Sequence, residues 1–284
     1  MNIFFCINNN YLPQLLIAMT SILENNRLDS ISFYIFSSDI TPESEEKVFR
    51  LKSAYDNFTV TFLNPPDSIF KDLKLNIDHI SIETYFRYII ADMLPYCDKG
   101  LYLDADIIVN ESLGSLYSLD VETVYVAGVK DIYIDIIGYK EKIGFLKDDL
   151  YINAGVLLMN LRKIREDDKV TALFNNTRKY SDVIQYQDQD VINITFKNNI
   201  KEIGSIYNFI TEYVRREKIN RNKAVVIHYT GKIKPWHQNC KNKMRFLYKY
   251  YSYINNCFIE NKKQHIVVKF LIMLWHSIFI VMKR

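Results

Sequence analysis

An open α/β sheet with helices on both faces is predicted by three features of the sequence. Short, wholly apolar runs of strand length alternate with longer segments whose apolar residues recur at helical spacing. The runs are too continuous for strands with one solvated face, so they read as strands covered on both sides. A chain of 284 residues, 49% hydrophobic and 24% charged, suffices for one large domain, or one domain with an appendage.

Residues 2–7 form the first apolar run. In residues 11–26, Pro13 stands near the start and Leu15, Ala18, Met19, Ile22 and Leu23 share one face, which predicts a helix. Residues 31–36 are a second strand. Thr41 then caps a helix with Pro42 at its first position and Glu43, Glu45 and Glu46 near the positive end of its dipole. Residues 59–63 are a third strand, ended by Pro65 and Pro66. Residues 82–93 read as a helix, and residues 100–103, 124–129, 151–159 and 224–229 as strands. Near Lys241 the composition turns basic and aromatic, then strongly apolar. A domain of residues 1–240 and a tail of residues 241–284 are expected from that change.

The net charge of +3 argues against a nucleic-acid partner. The four cysteines form no C-x-x-C pair, which fits a reducing compartment. No basic region precedes the first apolar run, so a cytoplasmic location is expected. The eight glycines form neither G-x-G-x-x-G nor G-x-x-x-x-G-K-[ST]. Without a glycine cradle, a phosphate-bearing ligand needs another source of positive charge, and a metal ion is the obvious one.

The run Leu101-Tyr102-Leu103-Asp104-Ala105-Asp106-Ile107-Ile108 places two carboxylates at i and i+2 past an apolar strand, pointing the same way. Hard oxygen ligands so placed suit Mn²⁺ or Mg²⁺ holding a diphosphate. The alternative is a pair of solvated loop aspartates. A second run, Val226-Ile227-His228-Tyr229-Thr230-Gly231-Lys232-Ile233-Lys234-Pro235-Trp236, delivers an imidazole, a glycine turn and two lysines. A lone histidine is more often a packed residue. Beside two aspartates and a lysine suited to phosphate, the ligand reading is favoured.

These residues resemble glycosyltransferase family 8, in particular its bacterial lipooligosaccharide galactosyl- and glucosyltransferases. The resemblance spans roughly residues 1–240. Its motifs are Asn8-Asn9-Asn10-Tyr11, His79-Ile80-Ser81-Ile82-Glu83-Thr84-Tyr85-Phe86-Arg87, the Asp104–Asp106 run, Asn153-Ala154-Gly155-Val156, Tyr186-Gln187-Asp188-Gln189-Asp190, and His228 to Trp236. It implies a GT-A fold, a Rossmann-like mixed sheet with helices on both faces. It also implies an α-linked product made with retention from a UDP-hexose, on a saccharide or glycolipid acceptor. By position, Asp104, Asp106 and His228 would hold Mn²⁺, and Lys234 with the Gly231 turn would meet phosphate. Asn8, Asn10 and Tyr11 would line the nucleoside pocket, with Asn8 standing where the family usually has Asp. Arg87, Asp131, Asn153, Asp188 and Gln189 would surround the donor sugar, and His79, Tyr186 and Thr230 the acceptor. Retention takes same-face attack or double displacement, and Asp190 is the carboxylate considered for the covalent route. For Arg87 a structural ion pair, and for Asn153 a turn cap, are the plain alternatives.

Residues 266–282 are apolar except for Lys269, His276 and Ser277. Lys262, Lys269, His276 and Lys283, seven apart, form one basic stripe on a helix whose other faces carry Phe270, Leu274, Trp275, Ile278 and Phe279. A helix lying on the inner face of the cytoplasmic membrane is expected, with a short spanning helix that would bury Lys269, or packing on the domain or at a dimer interface, as the alternatives. The rival enzymatic reading is a dehalogenase-like phosphatase, and the rival binding reading an inactive sugar-nucleotide-binding relative.

Overall fold

The computed structural model describes residues 1–75, 81–210 and 223–259. Its first half follows the expected alternation: β1 (Asn2–Cys6), α1 (Leu12–Asn25), β2 (Ile31–Phe36), α2 (Pro42–Phe49) and β3 (Phe58–Leu63). The Thr41 side chain accepts from the Ser44 N–H, and Pro42 occupies the first turn of α2. Residues 82–93 divide into a 3₁₀ segment, Ile82–Ile89, and a single α-turn, α3 (Ile90–Met93). Three residues per turn stack Thr84 and Arg87 along one edge. That edge faces the cleft described below.

Next come β4 (Lys99–Leu103), β5 (Ile107–Val109), α4 (Gly114–Tyr117), β6 (Val126–Lys130), α5 (Ile132–Ile136) and β7 (Ile152–Asn160). They are followed by α6 (Leu161–Glu166), α7 (Lys169–Lys179), α8 (Gln187–Phe196), β8 (Ile200–Ile203), β9 (Phe209–Ile210), β10 (Val226–His228) and α9 (Arg245–Ile259). The seven-stranded sheet has the order β3-β2-β1-β4-β7-β6-β8. It is mixed, because β7 runs antiparallel to both β4 and β6. Alternation within β1 shows the two-sided core: Ile3 and Phe5 pack with α1, whereas Phe4 packs with Tyr85, Phe86 and Val191.

A second, three-stranded sheet has the order β5-β10-β9. It is held from outside by α1 and α9. Ser21 Oγ accepts from Val109 N at 3.0 Å, and Asn25 Nδ2 donates to Val109 O at 3.0 Å and to Tyr251 Oη at 2.7 Å. Asn255 Nδ2 donates to Thr20 Oγ1 at 3.0 Å. Ile17, Leu247, Tyr251 and Ile254 share one apolar cluster with Ile108 and Ile227. The compositional change near Lys241 therefore does not interrupt the packing. The apolar tail of residues 266–282 lies outside the described residues, among which no helix is long and apolar enough to cross a membrane.

Tyr251→Ala should reduce the unfolding free energy by about 3 to 5 kcal/mol, the range for emptying a buried aromatic site. Urea titration followed by tryptophan fluorescence measures it. A loss under about 1 kcal/mol would detach α9 from the folding unit.

Candidate active site

The Asp-x-Asp turn is fixed at both ends by backbone pairing. Asp104 N donates to Gly155 O at 2.8 Å, and Tyr229 N donates to Asp106 O at 3.0 Å. Antiparallel pairing of β5 with β10 sets His228 opposite Ile107. His228 Nε2 thereby lies 3.6 Å from Asp104 Oδ2 and 3.2 Å from Asp106 Oδ1. One ligand atom from each of the three residues falls within 4.8 Å of the others. His228 is buried, and both carboxylates are partly exposed to the cleft.

Gly155 makes this approach possible. A Cβ there would stand 2.2 Å from His228 Cε1 and 2.7 Å from Asp104 Oδ2, distances no side chain tolerates. The imidazole is oriented by a chain of amides. His228 Nδ1 is 2.9 Å from Asn208 Oδ1, Asn208 Nδ2 donates to Asn153 Oδ1 at 2.9 Å, and Gly155 N donates to the same oxygen at 3.0 Å. A backbone N–H can only donate, so it fixes which end of Asn153 is oxygen, and hence which end of Asn208 is. Nδ1 therefore carries a proton, and Nε2 is the nitrogen turned toward the two carboxylates.

Two cations compensate the acids. Arg87 is 7% exposed and pairs with Asp104 at 3.2 Å and Asp188 at 3.0 Å, with Nη1 donating to Ala154 O at 2.8 Å. Its guanidinium lies 4.1 Å from the Tyr102 ring centroid, and Tyr102 Oη donates to Asp104 Oδ1 at 2.7 Å. Lys234 Nζ donates to Asp106 Oδ2 at 2.5 Å and to Tyr229 O at 2.9 Å. Burial alone would raise the Asp106 carboxyl, but Lys234 and His228 outweigh it and hold the group well below the usual carboxylate range. Burial would likewise lower the Lys234 ammonium, and Asp106 reverses that. At Asp188 burial wins: despite Arg87 and a hydrogen bond from Thr84 Oγ1, its pKa is pushed up to about 6.

Asp104, Asp106, His228, Arg87, Lys234 and Asp188 border one cleft of about 290 Å³. Most of the residues expected at the site line it. They are Asn8 and Tyr11, the Asp104, Asp106 and His228 cluster with Thr230, Gly231 and Lys234, and Arg87, Asn153, Tyr186, Asp188 and Gln189. Three do not line it, and His79 lies outside the described residues. Asn10 is exposed to solvent. Asp131 is buried behind the wall, where its Oδ2 accepts from Asn153 Nδ2 and Gln189 Nε2, both at 3.2 Å. Asp190 is fully buried and saturated by Tyr139 Oη at 2.6 Å, Tyr151 Oη at 2.5 Å, and the N–H groups of Gln185 and Tyr186 at 2.8 Å. Successive helical residues point about 100° apart, so Asp188 and Asp190 diverge on α8. The geometry removes Asp190 as a covalent nucleophile. Sequence reasoning passed over Gly155, which stood inside a quoted motif, and Asn208, which carries no motif at all.

The glycosyl transferase family 8 model matches residues 2–240. A relative from Haemophilus influenzae is 34% identical over 249 residues, covering 85% of this chain and 74% of its own. The lipopolysaccharide 1,2-glucosyltransferase of Escherichia coli is 30% identical over 253 residues, covering 83% and 73%. Among solved structures, the galactosyltransferase LgtC with donor and acceptor sugar analogs superposes with a TM-score of 0.81 at 31% identity, covering 89% of this chain and 96% of that one. The mixed sheet with helices on both faces is therefore the GT-A fold.

Because burial raises Asp188 from 3.8 to about 6, the protonated form is the one the fold favours. The stability this contributes is fully present below pH 3.8 and is lost as pH rises through about 6. Asp188→Asn should flatten that decline by up to about 3 kcal/mol, measured by urea unfolding of both proteins between pH 4 and 7. Parallel stability curves would show that Asp188 ionises normally.

Proposed function

The chain belongs to glycosyltransferase family 8, and on that premise we propose that it moves galactose or glucose from a UDP-sugar to a saccharide acceptor, with retention. The observation that carries this reading is the convergence of Asp104, Asp106 and His228 in the cleft, with Lys234 against Asp106. Two carboxylate oxygens and one imidazole nitrogen are the donor set that suits Mn²⁺, with Mg²⁺ the alternative. The Gly155 cradle, which a Cβ would fill, keeps the three within reach of a common ion. Such an ion supplies positive charge to a departing diphosphate.

The chain's own residues do the rest. Lys234 pairs with Asp106 of the cluster and serves as the second charge for phosphate. Asn8 also lines the cleft: its Oδ1 is covered and has no hydrogen-bond partner, while Nδ2 donates to Ser81 Oγ at 3.2 Å. A free acceptor there matches the N3–H of uracil. Gln189 Oε1 already accepts from Asn153 Nδ2 at 3.0 Å and Ala154 N at 3.1 Å. Both lone pairs are committed, so the amide positions the sugar and does not attack it. Same-face attack, with a diphosphate oxygen as base, is the favoured course.

Galactose transfer by LgtC and glucose transfer by the E. coli relative leave both hexoses as donors here. The latter's lipopolysaccharide substrate supports a lipid-linked saccharide acceptor. The basic, apolar tail supports work at the inner face of the cytoplasmic membrane. A dehalogenase-like phosphatase would carry Asp-x-Asp after its first strand, whereas here it follows β4.

Asp104→Asn and Asp106→Asn should each lower Mn²⁺-dependent turnover of UDP-hexose at least about a hundredfold, since each removes an anionic ligand. Near-normal turnover at limiting Mn²⁺ would refute the ligand set. Gly155→Ala should weaken Mn²⁺ binding, read by electron paramagnetic resonance, while circular dichroism stays that of the folded chain. Unaltered Mn²⁺ affinity would show that the close packing at Gly155 is not needed.

A further inference from the structure

Glu83 is a second anomaly in the cleft. It sits on the 3₁₀ segment between Ser81, which receives Asn8 Nδ2, and Thr84, which donates to Asp188. The residue lines the cleft but is only 7% exposed, and its Oε2 is covered without a hydrogen-bond partner. No cation among the described residues pairs with it: Arg87 is committed to Asp104 and Asp188, and Lys234 to Asp106. A covered carboxylate oxygen is ordinarily hydrogen-bonded, and one without a partner beside a cleft invites a ligand.

The lone pairs of that oxygen are unused, so a ligand that meets it there must bring a donor. Phosphate is repelled. The base N–H of a uridine nucleotide has its acceptor in Asn8. What remains on a sugar nucleotide are hydroxyls, those of the ribose and those of the hexose. We propose that Glu83 accepts a hydrogen bond from a sugar hydroxyl of the donor nucleotide and thereby sets donor affinity. This rests on the donor reading given above. Its place between the Asn8 and Asp188 neighbourhoods fits either sugar.

The test measures calorimetric binding of UDP, UDP-glucose and UDP-galactose with Mn²⁺ to the full chain, for wild type, Glu83→Gln and Glu83→Ala. Melting temperatures without ligand accompany it. Both variants should bind at least one ligand about tenfold more weakly, since a hydrogen bond to a charged group is lost. Glu83→Gln, which keeps the shape and drops the uncompensated charge, should melt no lower than wild type. A loss already present with UDP identifies a ribose hydroxyl. A loss confined to the UDP-hexoses identifies one on the hexose. Unchanged affinities for all three overturn the role of Glu83 alone, as does a lowered melting temperature with binding intact. Wild type that binds none of them overturns the donor reading itself, and the proposal with it.

Discussion

Two carboxylates at one strand end repel each other, and nothing near them in sequence can bring a third ligand. The pairing of β5 with β10 does so. Side chains alternate across a strand, so a one-residue slip in that register would carry His228 to the opposite face. The register is guarded from outside: α9 packs on α1, and Ser21 and Asn25 of α1 bond both backbone groups of Val109. Asn110 N also donates to Val225 O at 2.8 Å, extending the pairing by one step. Helices remote from the cleft thus determine where the imidazole points.

Orientation of that imidazole is a separate matter from its position, and a single backbone N–H governs it. Gly155 N–H fixes the oxygen of Asn153, which fixes the amide of Asn208, which leaves Nδ1 of His228 no option but to donate. The same glycine lacks the Cβ that would collide with the ring. One residue therefore serves the site twice, through its amide hydrogen and through its missing side chain. Asn153 meanwhile joins this chain to Gln189 and Asp131, so the Asp104–Asp106–His228 side and the Gln189 side of the cleft share one hydrogen-bonded wall.

The sheet was legible because buried strands leave continuous apolar runs, as in residues 31–36 and 151–159. β8 was not, because Ile200–Ile203 is an edge strand whose Lys201 and Glu202 interrupt any run. β5 hid as the continuation of the Asp-x-Asp segment. At the site, Asp104, Asp106 and His228 were legible by residue type and spacing. Asp190 was misplaced because a D-Q-D string says nothing about rotation around a helix. Asn208 and Glu83 were illegible for another reason: their meaning lies in which partners they have or lack, a property of packing. The segment Arg245–Ile259 read as part of a tail because the composition turns basic and aromatic near Lys241, yet Tyr248 and Tyr251 share an apolar cluster with Ile17 of α1.

Charge balance within the cleft extends the argument. Among the described residues its lining carries four acids, Glu83, Asp104, Asp106 and Asp188, against two full cations, Arg87 and Lys234. Both cations are already engaged, one with two carboxylates and one with a third. A diphosphate entering such a place would meet net negative charge at close range, where reduced dielectric makes repulsion stronger than in water. Binding under the proposed reading therefore requires imported positive charge, and the only described cluster shaped to hold it is the one around His228. On this view the acids are not redundant. Asp104 and Asp106 attract the ion, Asp188 anchors the guanidinium that steadies Asp104, and Glu83 is left to the neutral part of the ligand, where a carboxylate meets hydroxyls and not phosphate.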